Sequence, residues 1–201
     1  MVIIECEQNT EPWYRERSGH PTASSFDKVM TLDMKPSKQA KNYMYQLAAE
    51  RIAGPQIDTY QSFAMQRGHE LENEARLLFG LHLGIEVKQV GLIYPNENKL
   101  YSCSPDGFWG EGLEIKCPLS HTHVSYLLAG TLPTEYVLQV QGSMLVTSQD
   151  HWFFMSYFPG LPPLILRIER DEKICASLQI ELKIFCDQLN DVTNKILTVS
   201  S

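Results

Sequence analysis

The chain has 201 residues, of which 43% are hydrophobic, 20% charged and 10% aromatic, and its net charge is -7. These values exclude a disordered or low-complexity chain, and a chain of this length buries roughly 70% of its unfolded surface. The longest apolar runs, such as Trp152-Phe153-Phe154-Met155, are too short to span a bilayer, and Val2-Ile3-Ile4 lacks the basic flank of a signal peptide.

In chain order, Gly19-His20-Pro21 breaks the chain, and Thr22 or its neighbours cap a short helix through Phe26 and Met30. Residues 38–53 show helical spacing and stop at Gly54-Pro55. Residues 65–83 read as a second long helix, with Leu71, Ala75, Leu78 and Phe79 on one face and Gly84 at its end. Strands are expected at 86–94, 100–104, 112–117, 151–158 and 163–169, with a helix at 134–148 between the third and fourth. Asp171 opens a final amphipathic helix toward Leu197. That order is not a repeating βαβ pattern. It predicts an α/β fold with a mixed sheet and flanking helices, in a single domain over residues 1–201.

Charge position says more than the sum. Residues 12–51 carry seven Lys or Arg against four acids, whereas residues 52–201 carry ten bases and 17 acids. From Cys117 to Leu166 the only charged residues are Glu135 and Asp150. A basic N-terminal third on an acidic body is compatible with a locally positive groove. The five cysteines form no C-x-x-C pair, which argues against a disulfide framework or zinc knuckle and suits a reducing cytosol.

The informative stretch is Ser104-Pro105-Asp106-Gly107 followed by Gly112-Leu113-Glu114-Ile115-Lys116-Cys117-Pro118. Leu113 to Cys117 alternates, so in a strand Glu114 and Lys116 share one face and Leu113 and Ile115 the other. Paired charges in a strand flanked by Leu, Ile and Cys cost desolvation. Asp106, in a Pro-Asp-Gly turn, can bring its carboxylate over the same face. Two carboxylates and an ammonium converging there suit a hard cation such as Mg²⁺, with Lys116 positioning or deprotonating a water. The plainer reading of the same residues is a hairpin with a solvated Glu/Lys face.

These motifs resemble the phage lambda exonuclease family, the YqaJ-type viral recombinases within the PD-(D/E)xK nucleases. Trp13 to Ser24 looks like the family's N-terminal element, and Gly68 to Phe79, with Glu72-Asn73-Glu74-Ala75-Arg76, like its acidic helix. Tyr136 to Thr147 is similar to the helix after the catalytic strand. Trp152 to Tyr157 and Ile168 to Lys173 resemble the last strands and the start of the final helix. The turn between Asp106 and Glu114 is shorter than in lambda exonuclease, which puts that loop's DNA contacts in doubt.

The resemblance implies a restriction-endonuclease-like core and a Mg²⁺-dependent 5′→3′ exonuclease acting on linear double-stranded DNA, with two Mg²⁺ per active site and Mn²⁺ able to substitute. It implies Asp106 and Glu114 as direct metal ligands, the Ile115 carbonyl completing the shell, Lys116 as the catalytic lysine and Glu72 near the second metal. Arg17, Ser24, Ser104 and Gln139 would bind the 5′-phosphate, and Met65 would be a wedge between terminal base pairs. It further implies a homotrimeric ring and a phage single-strand annealing protein as partner, in the cytoplasm of a bacterial host. Left open are an endonuclease of the same superfamily and a catalytically silent DNA-end-binding protein. An iron–sulfur nuclease is disfavoured by the missing cysteine cluster.

Overall fold

A computed structural model describes residues 1–55 and 63–199, with the side chains of 63–65 outside that description. The chain opens with β1 (Val2–Ile4), α1 (Glu11–Arg17) and a 3₁₀ helix (Ala23–Lys28). Next come α2 (Ala40–Ala53), α3 (Phe63–Leu83), β2 (Leu92–Tyr94), β3 (Gly107–Phe108) and β4 (Gly112–Lys116). The rest is α4 (Ser120–Ala129), a 3₁₀ turn (Thr134–Tyr136), α5 (Val137–Thr147), β5 (His151–Ser156), β6 (Leu164–Glu169) and α6 (Glu172–Val199).

The main sheet has the order β3-β4-β5-β6. Its β4–β5 pair is parallel and the other two pairs are antiparallel, so the sheet is mixed as expected. A parallel pair cannot be closed by a tight turn, and α4 and α5 fill the crossover. A separate antiparallel pair joins β1 to β2.

Alternation along the strands assigns each face. Leu113 and Ile115 of β4 and Met155 of β5 pack with Ala75 and Phe79 of α3. On the opposite face, Trp152 and Phe154 pack with Val140 and Met144 of α5 and Leu178, Leu182 and Phe185 of α6. Glu114 pairs in register with Phe154, so it shares the α5 face. Gly112 starts β4 directly against the Trp152 ring, which a Cβ would meet at 2.0 Å, so this approach requires glycine.

Local signals placed most helices. Asp171 Oδ1 accepts the N–H groups of Lys173 and Ile174 at the head of α6, and Gly84 follows α3 at φ +69°. The short helix after Thr22 is present, as a tighter 3₁₀ turn. Two strands are corrected. The strand expected at 86–94 shrinks to Leu92–Tyr94, with Lys88 held by a lone bridge to Phe108. The strand expected at 100–104 is only isolated bridging by Ser102 and Cys103. Both segments pair through isolated bridges of two backbone hydrogen bonds each instead of a ladder. Four elements were not expected: β1, α1, β3 and α4.

Candidate active site

β3 supplies only two residues, pairing Gly107 with Leu113 and Phe108 with Gly112, so it ends just before Glu114. Past that point, the edge of β4 has a side chain where a strand would continue. Asp106 donates its backbone N–H to Leu113 O at 3.1 Å, and its Oδ2 accepts the Ile115 N–H at 2.7 Å. Since N–H and C=O of one strand residue point to the same edge, the Ile115 carbonyl lies on the Asp106 side. Glu114 and Lys116 share a face, as alternation requires, with Nζ to Oε1 at 2.6 Å. The same Oε1 accepts the Gln139 side-chain N–H from α5 at 2.6 Å. The Lys116 ammonium also stands 5.0 Å from the Tyr136 ring centre, a cation–π distance.

Glu72 reaches the site from α3, on the sheet's other face. It is bound at 2.7 Å by Arg76, whose Nε also donates to the Asp106 carbonyl. The Glu72–Arg76 pair is therefore not the solvated i, i+4 pair that its spacing allows. Arg76 is buried.

Burial sets the electrostatics. It pushes Asp106 up to about 7, helped by the Glu72 charge and opposed by Lys116 and the Ile115 N–H. Burial likewise pushes Glu114 up to about 7, against the pull of Lys116. Glu72 is also raised by burial, with Arg76 holding it back. For Lys116, burial pushes the pKa down, but the Glu114 and Asp106 charges outweigh it and hold the group above its ordinary value. Lys116 thus stays an ammonium, which suits orienting a water and offsetting negative charge better than removing a proton.

The other half of the same cleft is basic. Arg17, at the end of α1, lies 4.9 Å from the Trp13 ring centre and donates to Ser24 Oγ at 2.9 Å. Burial lowers its pKa, and among the described residues it forms no ion pair. Arg17, Ser24, Glu72, Ser104, Asp106, Glu114, Ile115, Lys116 and Gln139 all line one cleft of about 490 Å³. Nine of the ten residues singled out by sequence are thereby brought together. The side chain of the tenth, Met65, lies outside the described residues.

Two of them are engaged by protein partners. Ser104 Oγ donates to Gly91 O at 2.8 Å and accepts from Trp13 Nε1 at 3.2 Å, so its proton is already engaged. Gln139 serves Glu114. Sequence reasoning missed Gln8, His69 and Tyr136 as cleft residues. Gln8 donates to the carbonyls of Val90 and Pro105, tying the N-terminal segment to the turn before Asp106. No local sequence signal marks it.

The donor set fits a hard, water-rich cation. Neighbours engage one oxygen each of Asp106 and Glu114, which leaves the second oxygen of each carboxylate, and the Ile115 carbonyl joins them on the edge. Among the described residues no three His, Cys, Asp or Glu side chains form a metal cage by themselves. Two carboxylates and a carbonyl suit Mg²⁺, which takes one or two carboxylates and keeps several waters. A cation there would also reverse the upward push on the acids.

The YqaJ-like viral recombinase domain is matched by residues 12–150. An alkaline exonuclease from Laribacter hongkongensis is 34% identical, with a TM-score of 0.85 over 95% of this chain and 98% of its own. The same enzyme in complex with dAMP gives a TM-score of 0.84 at the same identity and coverage. A phage-related exonuclease from Haemophilus somnus is 17% identical, with a TM-score of 0.67 over 88% of this chain and 96% of its own, a likeness of fold alone. No protein of curated function matches significantly. The core is restriction-endonuclease-like. Among the described residues no helix is long and apolar enough to cross a membrane.

Proposed function

The chain belongs to the YqaJ-like viral recombinase family, and on that premise we propose that it is a Mg²⁺-dependent 5′→3′ exonuclease of linear double-stranded DNA. It releases mononucleotides from one strand and leaves a 3′-ended single strand, the substrate of a phage single-strand annealing protein. One observation carries the reading: Asp106, Glu114 and Lys116 converge on the uncovered edge of β4, in the same cleft as a half-buried Arg17 that forms no ion pair among the described residues. The dAMP bound by the Laribacter relative, a deoxynucleoside monophosphate, supports the substrate class.

Asp106, Glu114 and the Ile115 carbonyl would hold the ion, and Glu72 would stand near a second one. A bound Mg²⁺ would supply Lewis acidity toward the scissile phosphate and its attacking water. Lys116, kept charged by its acidic neighbours, orients that water and offsets the negative charge that builds on the phosphate. Gln139 holds Glu114 in place. Arg17 binds the terminal 5′-phosphate through its planar fork, backed by the Trp13 ring and Ser24. Each cleavage exposes a new 5′-phosphate, so this contact both orients the strand and draws it forward.

The subunits form a trimeric ring around the DNA, in the cytoplasm of a bacterial host. Exposed Leu119, Val124 and Leu128 on and beside α4, in the stretch from Cys117 to Pro133 that has no charged side chain, support a subunit contact there. Solution mass tests the ring, and a monomeric mass at assay concentration would remove it.

The activity is tested by following release of mononucleotides in Mg²⁺ from linear 5′-phosphorylated duplex, linear 5′-hydroxyl duplex and covalently closed circles. Rapid loss of the phosphorylated linear substrate with intact circles is expected. Efficient attack on closed circles would favour an endonuclease. End binding without cleavage would leave only an end-binding protein.

A further inference from the structure

We propose that Arg76 is a positioning residue of this site: its guanidinium locks the Asp106 turn and Glu72 into one rigid arrangement, so that the acids meet a divalent cation already in place. The inference deepens the nuclease reading and rests on it. Three of the side chain's nitrogens are engaged on three different groups. Nε donates to the Asp106 carbonyl, Nη2 to Glu72 Oε1 at 2.7 Å, and Nη1 to Asn73 Oδ1 at 3.3 Å. Two of those acceptors lie on α3 and the third in the turn at the sheet edge. The guanidinium is therefore a rivet between two elements that each contribute an acid.

The rivet answers a specific physical problem. Asp106, Glu114 and Glu72 are close enough to raise one another's proton affinity, and Lys116 is bound to Glu114. In the absence of a cation, like charges spread apart unless something holds them. The Arg76 side chain is only 10% exposed, so its bonds act in a low-dielectric setting where solvent screens little. Lysine cannot replace it, since a single ammonium lacks the planar fork that reaches a backbone carbonyl and a carboxylate together.

The test uses Arg76→Lys and Arg76→Gln in the full chain, with three readouts. They are the Mg²⁺ concentration that half-saturates the rise in melting temperature without DNA, kcat on saturating 5′-phosphorylated duplex, and end binding in Ca²⁺. Both variants are expected to bind the DNA end within about threefold of wild type, because Arg17 and Ser24 are untouched. The half-saturating Mg²⁺ concentration should rise about tenfold, the lower range for losing a partner that orients a ligand. kcat should fall about 100-fold, the cost of a displacement near 1 Å at the reacting groups.

Arg76→Lys keeps the charge and the aliphatic stem, so it carries the comparison alone should Arg76→Gln fail to fold. A merely structural Arg76 would lower the melting temperature but leave kcat per end-binding molecule and the Mg²⁺ midpoint unchanged. Either variant retaining both within threefold would overturn the proposal. Should wild type itself fail to cleave any duplex, the nuclease reading falls, while the melting shift without DNA still decides whether Arg76 sets the cation site.

Discussion

The two halves of the cleft solve opposite electrostatic problems. Around Asp106, three carboxylates are drawn together against their repulsion, and burial raises all three. Around Arg17, a half-buried guanidinium has a hydroxyl and a ring for company, and desolvation lowers its pKa. The acidic half has an excess of negative charge that a divalent cation would balance. The basic half has an excess of positive charge that a phosphate would balance. Charged groups left partly unpaired inside a protein cost free energy, so under the proposed function each half would favour its own ligand.

The comparison breaks most sharply on the acidic side. Asp106→Ala or Glu114→Ala should reduce turnover in Mg²⁺ by at least about 1,000-fold, because several kcal/mol of charge stabilisation leave with the ion. Lys116→Ala should stall cleavage while DNA-end binding in Ca²⁺ persists. Robust Mg²⁺-dependent release of nucleotides by purified Lys116→Ala would remove its assigned role.

On the basic side the effect is smaller and selective. A charge-assisted hydrogen bond contributes about 1.5–3 kcal/mol, roughly a tenfold to 150-fold effect. Arg17→Ala should slow 5′-phosphorylated duplex by that factor and shrink its advantage over 5′-hydroxyl duplex. If the variant keeps the full preference, Arg17 does not read the end.

Gln139 tells which half owns it. Bound to Glu114 Oε1, it should act with the acids, so Gln139→Ala is expected to slow both substrates alike, by about tenfold. A loss confined to the phosphorylated substrate would return it to the basic half.

The gentlest probe is pH. Burial pushes Asp106 and Glu114 up to about 7, above the ordinary carboxylate values of 3.8 and 4.5. The metal-free folded state therefore binds more protons than the unfolded state between about pH 4 and 7. These groups favour folding at low pH, and that contribution is lost as pH rises through 7. Mg²⁺ must displace those protons below 7 and meets bare carboxylates above it. The Mg²⁺-induced rise in melting temperature should thus be larger at pH 8 than at pH 6, and equal shifts would contradict the raised carboxyls.

Much of the acidic half is legible in the sequence because it rests on short-range rules. Period-two alternation puts Glu114 beside Lys116, and a Pro-Asp-Gly turn brings Asp106 to the same strand. The partners that steady it are long-range. Gln8 and Gln139 come from 98 and 25 residues away from Asp106 and Glu114, and polar side chains carry no local mark of what they will meet. Arg76 was visible only as Glu72's i, i+4 neighbour, a spacing that does not reveal burial. Helix α1 was within reach, since Thr10-Glu11-Pro12 is a helix start with proline in its first turn. Helix α4 was not, because Ser120 to Ala129 contains no charged pair and no clear apolar stripe.

The brevity of β3 has a consequence for variation among related chains. The base of the β3–β4 hairpin is pinned by the Asp106 N–H on Leu113 O and by the Ile115 N–H on the Asp106 carboxylate. Its tip is Trp109-Gly110-Glu111, closed by one hydrogen bond from Trp109 to Glu111 around a glycine at φ +104°. Residues can be added to or removed from that tip while the register below it, and with it the spacing of Asp106 from Glu114, stays fixed. A difference in length at this place is then a change of the hairpin tip alone, uncoupled from the spacing of the two acids underneath.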